Sequence, residues 1–96
     1  MDKSSLERWR SLDAALVLRA FAEHAKQDLT FVPVKSPATT RWHATAAGHD
    51  MELLLTGPKF WNTRDNVGGG GAVDLVMHLA GVDFKAAARM LSERQL

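Results

Sequence analysis

The sequence contains no cysteine in its 96 residues. This absence excludes disulfides, and it also excludes any zinc site built from thiolates, whatever fold the chain adopts. There is no run of about 18 apolar residues of the kind that crosses a membrane. The first eleven residues carry charges and are not followed by the apolar stretch of a secretory signal. We therefore expect a protein of the bacterial cytoplasm that has no membrane partner.

A large excess of charge of one sign is also missing. The formal net charge is +1 and the isoelectric point is about 8.2, whereas a domain that coats DNA usually carries a larger excess of lysine and arginine. Any site for a polyanion must therefore be local. A hydrophobic content of 46% with 24% charged residues is typical of a globular chain and too apolar for a disordered tail.

The apolar periodicity predicts a helix over residues 12–27. The residues that recur on one face with a spacing of four are Leu12, Leu16 and Ala20, as expected for a helix that packs on a core. Ser11 is a candidate N-cap, and Asp13 is placed to meet the positive end of the helix. Residues 1–11 are polar and are predicted to be flexible or loosely helical, so a single folded domain is expected over residues 12–96.

Short β-prone segments separated by turns follow this helix. The segment 29–34 contains Pro33, which limits it to an edge strand or an irregular strand. Three further strands are predicted over residues 41–45, 51–55 and 59–63. Because only a few residues connect each of these three strands to the next, we expect an antiparallel meander.

Residues 64–71 are predicted to form a turn that leads into two short helices. The first helix covers residues 72–79 and is followed by Gly81 in the position of a helix-terminating glycine. Asp83 is the expected N-cap of the last helix. The inward stripe of that helix is predicted to consist of Phe84, Ala87, Ala88 and Leu91. The fold class is therefore α+β: a small antiparallel sheet of three to four strands with an N-terminal helix and two C-terminal helices.

Several of these features stand in a recognisable order. An aromatic pair at 60–61 is followed by Gly69 and Gly70, then by the helix sequence VDLVM at 73–77, and then by Asp-Phe at 83–84. The same order is found in the second half of the zinc ribbon at the front of bacterial and plasmid DNA primases, where a Cys-x-x-Cys knuckle separates the aromatic pair from the glycine turn. The chain resembles a cysteine-free version of that domain.

The resemblance covers residues 59–91 without a gap and extends weakly to the strand at 51–56, whereas no motif of residues 1–35 contributes to it. Thr63 and Asn66 fall where the two knuckle cysteines would be, so no metal ligand is expected there. The chain is similar to cysteine-less relatives that open larger proteins of plasmids and integrative elements. In those proteins a similar glycine run and helix precede a toprim-type nucleotidyl-transfer domain.

The resemblance implies a nucleic-acid site, because the sheet face of the primase ribbon is thought to track single-stranded template. Cations neutralise phosphates and aromatic faces stack on bases without reading sequence. The candidate binding residues are Arg41, His43, Lys59, Trp61 and Arg64. Strand alternation places the first two on one face of their strand and the next two on one face of theirs. Whether these faces coincide depends on register, and the alternative is that Trp42, Phe60 and Trp61 form core with a solvated rim of cations.

The glycine run admits two interpretations. Its members are Gly68, Gly69, Gly70 and Gly71. Backbone N–H groups at a helix N-terminus suit a phosphate, but the run lacks a P-loop ending, and Val73 stands where a dinucleotide fingerprint needs a third glycine. Asp74 in the first helical turn would also repel an anion. The favoured interpretation is a tight strand-to-helix reversal that uses positive φ angles.

Metal and catalytic chemistry have little support in the sequence. His43 and His49 flank a turn and could form a site with Asp50 or Asp65, but the spacing does not require it, and solvent-facing or hydrogen-bonded histidines are favoured. Without metal, the loop that contains Thr63 and Asn66 must close by hydrogen bonds and packing. Asp74 and His78 are spaced so that they could hydrogen-bond on one helix face, but an ordinary surface pair is the favoured interpretation. No nucleophile–base signature or forced carboxylate pair occurs, so no catalytic residue, cofactor or small-molecule substrate is predicted.

These observations predict a non-catalytic module that binds single-stranded DNA template in a DNA primase or primase-like protein of a mobile element. Its expected partners are a neighbouring toprim or primase catalytic domain, or a helicase. The alternative is a docking domain that has lost both zinc and DNA binding. The sequence ends within or just after a helix, which indicates a domain excised from a longer protein.

Overall fold

The computed structural model describes residues 3–96. In chain order its elements are α1 (Lys3–Ser11), α2 (Ala14–Phe21), β1 (His24–Gln27), β2 (Thr39–Ala46), β3 (His49–Thr56), β4 (Lys59–Asn62), β5 (Val67–Gly69), α3 (Ala72–Ala80) and α4 (Phe84–Glu93). The strands form one antiparallel sheet in the order β1-β2-β3-β4-β5. The α+β class is confirmed, with five strands in place of the expected three to four.

The sheet has one buried face and one face that is open to solvent. Burial alternates along β2 and β3, as expected for strands that pack on one side only. Trp42, Leu53 and Phe60 are buried on the inner face, in one core with residues of the helices such as Leu75 and Leu91. The four helices of residues 3–96 therefore form a layer over this inner face, and none of them covers the opposite side, which we call the outer face.

Tight turns connect the central strands. In the β2–β3 hairpin, Ala47 and Gly48 both have positive φ angles, of 50° and 77°. Two consecutive residues with positive φ are typical of a type I′ turn, whose twist matches that of antiparallel strands. Gly57, with a φ of 56°, lies at the β3–β4 turn. The antiparallel meander predicted from the short connections is confirmed.

The N-terminal part of the chain differs from the prediction. Residues 3–11 form a regular helix in which Trp9 is 1% exposed. Asp13 and not Ser11 is the N-cap of α2, because Ser11 is the last residue of α1. The predicted helix over 12–27 ends at Phe21, and β1 occupies its last part. Pairing of β1 with β2 satisfies the backbone at the sheet edge, and this tertiary contact overrides local helix propensity.

The predicted strand over 29–34 is absent, and the segment is a loop. The carboxylate of Asp28 accepts hydrogen bonds from the backbone N–H of Thr30 at 2.9 Å and from its hydroxyl at 2.6 Å. This local turn, together with Pro33, prevents an extended pairing segment. The loop leaves three aliphatic side chains largely exposed, namely Leu29, Val32 and Val34.

The C-terminal part follows the prediction more closely. Gly81 is left-handed, with a φ of 66°, and Asp83 caps α4 by accepting from the Ala86 N–H at 2.9 Å. Phe84 is 45% exposed, so its assignment to the inward stripe is wrong. The predicted turn over 64–71 contains the short strand β5, which extends the sheet by one strand. None of the helices within residues 3–96 has the length and hydropathy that crossing a bilayer requires.

Candidate nucleic-acid interface

The register of the sheet settles which face each candidate residue occupies. Arg41 pairs with Leu54, and Leu54 pairs with Trp61 on the next strand. Directly paired residues point to the same side of a sheet, and alternation adds His43 and Lys59 to that side. All four side chains therefore share the outer face. The question that the sequence left open is answered in favour of one common surface.

A carboxylate lies at the centre of the cationic residues on this surface. Glu52 is the direct neighbour of His43 across the strands. Its Oε2 accepts from Arg41 Nη2 at 2.8 Å, and its Oε1 lies 3.4 Å from Arg64 Nη2 and 3.9 Å from His43 Nδ1. Arg41 also pairs with Asp28 at 3.4 Å. We call these five residues the Glu52 cluster. Arg64 lies in the turn after β4 and joins the outer face through this contact.

Hydrogen bonds hold the two carboxylates of the cluster in their charged form. The hydrogen bond from Arg41, with the positive charges of Arg41 and Arg64, lowers the pKa of Glu52 below its ordinary value of 4.5. The hydroxyl and backbone N–H of Thr30 lower the pKa of Asp28, with a further contribution from Arg41. The positive charges of the two arginines are therefore partly neutralised within the protein.

Lys59 and Trp61 are the members of the candidate set that lie outside the cluster. Within residues 3–96 no acidic side chain forms an ion pair with Lys59. Trp61 is 44% exposed, whereas Trp42 and Phe60 are 6% and 5% exposed. The core interpretation is therefore correct for Trp42 and Phe60 and wrong for Trp61.

A groove of about 920 Å³ runs beside Trp61 between the outer face and the loop after β1. Its lining residues are Phe31, Pro33, Val34, Lys35, Ser36, Thr39, Leu54, Thr56, Lys59, Phe60, Trp61, Gly68 and Gly69. The volume lies in the range of ligand sites, about 300–1,000 Å³. The lining contains aromatic and aliphatic side chains and two lysines, and it contains no acidic residue.

The predicted strand-to-helix reversal is present between β5 and α3, but the positive φ angles predicted for it are absent, and Gly68 and Gly69 are instead required for close packing. A Cβ on Gly68 would lie 2.6 Å from Trp61 Cε3, and one on Gly69 would lie 2.8 Å from Phe60 Cε1. None of the four glycines has a left-handed φ. The Asp74 carboxylate is 3.4 Å from the Gly70 N–H, and an anion at this helix start would have to compete with it.

The turn after β4 is closed by hydrogen bonds, chiefly those of Asn62. This side chain is fully buried. Its Oδ1 accepts from the N–H groups of Arg64 and Asp65 at 3.0 and 3.3 Å. Its Nδ2 lies 2.9 Å from His78 Nε2 and 3.3 Å from Asp65 Oδ2. Because Oδ1 serves two donors, the amide orientation is fixed, and His78 Nε2 is the acceptor.

Thr63 and Asn66 contribute less to this closure. The Thr63 hydroxyl donates to the Glu52 carbonyl at 3.3 Å, and Asn66 adopts a left-handed φ of 54°. The hydrogen bond that the spacing of Asp74 and His78 would allow is absent from the described residues, because Asp74 lies beside the Gly70 N–H and His78 beside Asn62. Sequence reasoning missed Asn62, although an asparagine at a core-facing position of an alternating strand is a signal for such a role.

The histidines and acids named as possible metal ligands are not brought together. His43 pairs with Glu52 and His49 pairs with Ala46, three positions further along β2. Asp50 accepts from the Thr45 hydroxyl at 2.8 Å, and Asp65 lies beside Asn62. Between residues 3 and 96 no group of three or more histidine or acidic side chains is arranged to hold a metal ion.

Comparison with known proteins gives one informative relative. A protein of Zymomonas mobilis called "65 kDa protein" is 39% identical to this chain over 46 residues. The match covers 48% of this chain and 8% of the relative, so the shared segment is a small part of that protein. No protein-family model and no solved structure matches the chain.

Proposed function

We propose that this chain is a non-catalytic module that binds single-stranded DNA in a primase or primase-like protein of a mobile element. The observation that carries the proposal is the shared outer face. Lys59 and Trp61 lie there beside Arg41 and His43, and Arg64 reaches the same surface. Cations for phosphates and an exposed aromatic ring for bases are the two parts that a sequence-tolerant single-strand site needs.

The backbone of residues 59–91 supports the same assignment. A strand, a bend at the glycines and two helices follow one another in the order that the resemblance to the primase ribbon requires, and α3 packs on α4. In this proposal the module holds template for a neighbouring toprim or primase catalytic domain, or for a helicase. Asn62 and the core take over the structural role that a metal has in the ribbon.

Fluorescence anisotropy with a labelled single-stranded oligonucleotide at low and at moderate salt tests the proposal. Wild type is expected to bind with a strong salt dependence, because each phosphate contact releases a counterion. Lys59→Ala should weaken binding and reduce the slope of log K against log salt by about 0.7. The matched control is Lys85→Ala, which removes an exposed lysine of α4 and should change neither quantity. Absence of binding at low salt would refute the proposal.

One observation favours a second function, the docking of a partner protein. Leu29, Val32 and Val34 are 85%, 77% and 95% exposed, and exposed aliphatic clusters are typical of interaction sites. The Glu52 cluster also reduces the positive potential that DNA would meet. A docking domain predicts no oligonucleotide binding at low salt, together with loss of partner association when Val34 is replaced by serine.

A further inference from the structure

The groove beside the outer face has walls from two separate parts of the chain. The loop after β1 contributes Phe31, Pro33 and Val34, and the sheet contributes Leu54 and Trp61. The loop lies outside the segment that resembles the primase ribbon, so the groove is a feature of this chain and not of the resemblance. Its aromatic and aliphatic surface requires an occupant with flat or apolar groups.

The indole of Trp61 packs against the sheet because the residue opposite it is a glycine. Trp61 and Gly68 are direct partners across β4 and β5. The six-membered ring of the indole lies against Gly68, so that a Cβ on this glycine would come within 2.6 Å of Trp61 Cε3. The indole nevertheless remains on the groove lining, and the residue is 44% exposed. A ring that is supported on one side and accessible on the other is suited to stacking.

The charge of the residues that line the groove favours a negatively charged ligand. Lys35 and Lys59 are the charged residues of the lining, and no acidic side chain contributes to it. Glu52 and Asp28, which neutralise the arginines of the outer face, are not among the lining residues. An occupant that combines planar apolar rings with negative charge therefore fits this groove better than a neutral or cationic one.

We infer that unpaired bases of single-stranded DNA enter this groove and stack on Trp61, while Lys35 and Lys59 contact the flanking phosphates. Gly68 is the positioning residue that allows the indole to lie against the sheet. The inference rests on the proposed function and adds to it a defined base subsite and a second wall, supplied by the loop. DNA that bound only through its phosphates to the cations of the outer face would need neither the base subsite nor the wall formed by the loop.

The test compares a labelled oligothymidylate with an oligomer of the same length that carries abasic sites, so that the phosphates are kept and the bases are lost. At equal salt, wild type should bind the thymidylate about 5- to 150-fold more tightly, the range that corresponds to one base–aromatic stack. Trp61→Phe should keep most of this preference. Trp61→Leu, which keeps apolar volume without an aromatic face, should lose it.

Intrinsic fluorescence gives an independent readout of contact. The chain has three tryptophans, and Trp9 and Trp42 are 1% and 6% exposed, so quenching by bound bases should come from Trp61. Trp61→Phe should still bind by anisotropy while the quenching disappears. Val34→Asp, at a position that is 95% exposed and safe for folding, should weaken thymidylate binding by placing a carboxylate in the groove. Phe84→Leu is the matched control for Trp61→Leu, because it also replaces an exposed aromatic residue by leucine, but on the helical layer, where Phe84 is 45% exposed. This variant should bind both oligomers as wild type does.

The outcomes separate this inference from the proposed function. Equal binding of both oligomers by wild type would leave DNA binding in place and overturn the base subsite. Binding of neither oligomer at low salt would overturn both. Preferential capture of a labelled peptide rich in leucine and glutamate would assign the groove to a partner protein, and would also overturn the inference.

Discussion

At the scale of single residues, Asn62 combines complete burial with four polar contacts, and it connects β4, the following turn and α3. Its Oδ1 serves two backbone N–H groups and its Nδ2 faces His78 and Asp65. A buried polar group that loses its partners costs much more than an exposed one. The stability of the turn should therefore depend on this one side chain more than on Thr63 or Asn66.

Asn62→Ala should lower the free energy of unfolding by about 1–3 kcal/mol, because the two N–H groups and the His78 acceptor lose their partner in a poorly solvated place. Urea denaturation followed by circular dichroism measures this change. Thr63→Val is the control: it removes the exposed hydroxyl that donates to the Glu52 carbonyl, and it should change stability by no more than about 0.5 kcal/mol. Equal effects of the two substitutions would contradict the role given to Asn62.

The glycines allow a second residue-scale prediction. Gly69→Ala should destabilise by about 1–3 kcal/mol, because a Cβ would lie 2.8 Å from both Phe60 Cε1 and Asp74 Cβ and would overpack the core edge. Gly70→Ala is the matched control, since nothing lies within 4 Å of its Cβ position and its φ is not left-handed. That variant should be neutral or more stable by up to about 1 kcal/mol. Thermal melts of both variants measure these changes. Equal melting temperatures would show that lack of space for a Cβ is not the reason for a glycine at position 69.

At the scale of elements, the two aspartate N-caps provide an internal comparison. Asp83 accepts a hydrogen bond from the Ala86 N–H, whereas Asp13 makes no side-chain cap bond to α2. Both aspartates occupy the N-cap position of a helix, so each is placed near a positive helix end. Asp83→Ala should lower the free energy of unfolding by about 1 kcal/mol, and Asp13→Ala should lower it by clearly less. A cost for Asp13→Ala that equals or exceeds that of Asp83→Ala in urea denaturation would rule out the hydrogen bond as the cause.

The same elements show what a sequence can and cannot predict. The helix over 72–80, its glycine end and the Asp83 cap were all predictable because they depend on local spacing and capping chemistry. The strand β1 was not, because HAKQ has no strand pattern and is defined by pairing with β2. The strand β5 is short and rich in glycine, which disfavours strands in general. In this strand Gly68 and Gly69 pair with Trp61 and Phe60, whose rings leave no room for a Cβ at either position.

At the scale of the whole molecule, the candidate surface was predictable in composition but not in geometry. Residue types and alternation identify Arg41, Lys59 and Trp61, but a register shift of one residue in β2 or β4 would have turned that strand's members toward the core. Only the paired strands show that they share a face. Glu52 was missed for the same reason, since its role comes from its position opposite His43 and within reach of Arg41.

The Glu52 cluster makes the stability of the sheet depend on pH. Folding lowers the pKa of Glu52, chiefly through the Arg41 hydrogen bond, and lowers that of Asp28, chiefly through Thr30. A group whose pKa is lower in the folded state contributes stability that is complete above its unfolded pKa and is lost as the pH falls through its folded pKa. The stabilisation should therefore be intact at neutral pH and decline below the ordinary values of 4.5 and 3.8.

Glu52→Gln isolates the contribution of the central carboxylate. At neutral pH this variant should melt at a lower temperature than wild type, because Arg41 and Arg64 lose a charged acceptor and repel each other more strongly. As the pH falls through the acidic range, wild-type Glu52 becomes protonated and the difference in melting temperature should shrink toward zero. Thermal melts from about pH 7 to about pH 3 measure this convergence. The control is Glu93→Gln, which removes an exposed carboxylate of α4 outside the cluster and should melt as wild type does at every pH. A difference in melting temperature between Glu52→Gln and wild type that stays constant over the whole pH range would show that the ion pairs do not stabilise the sheet.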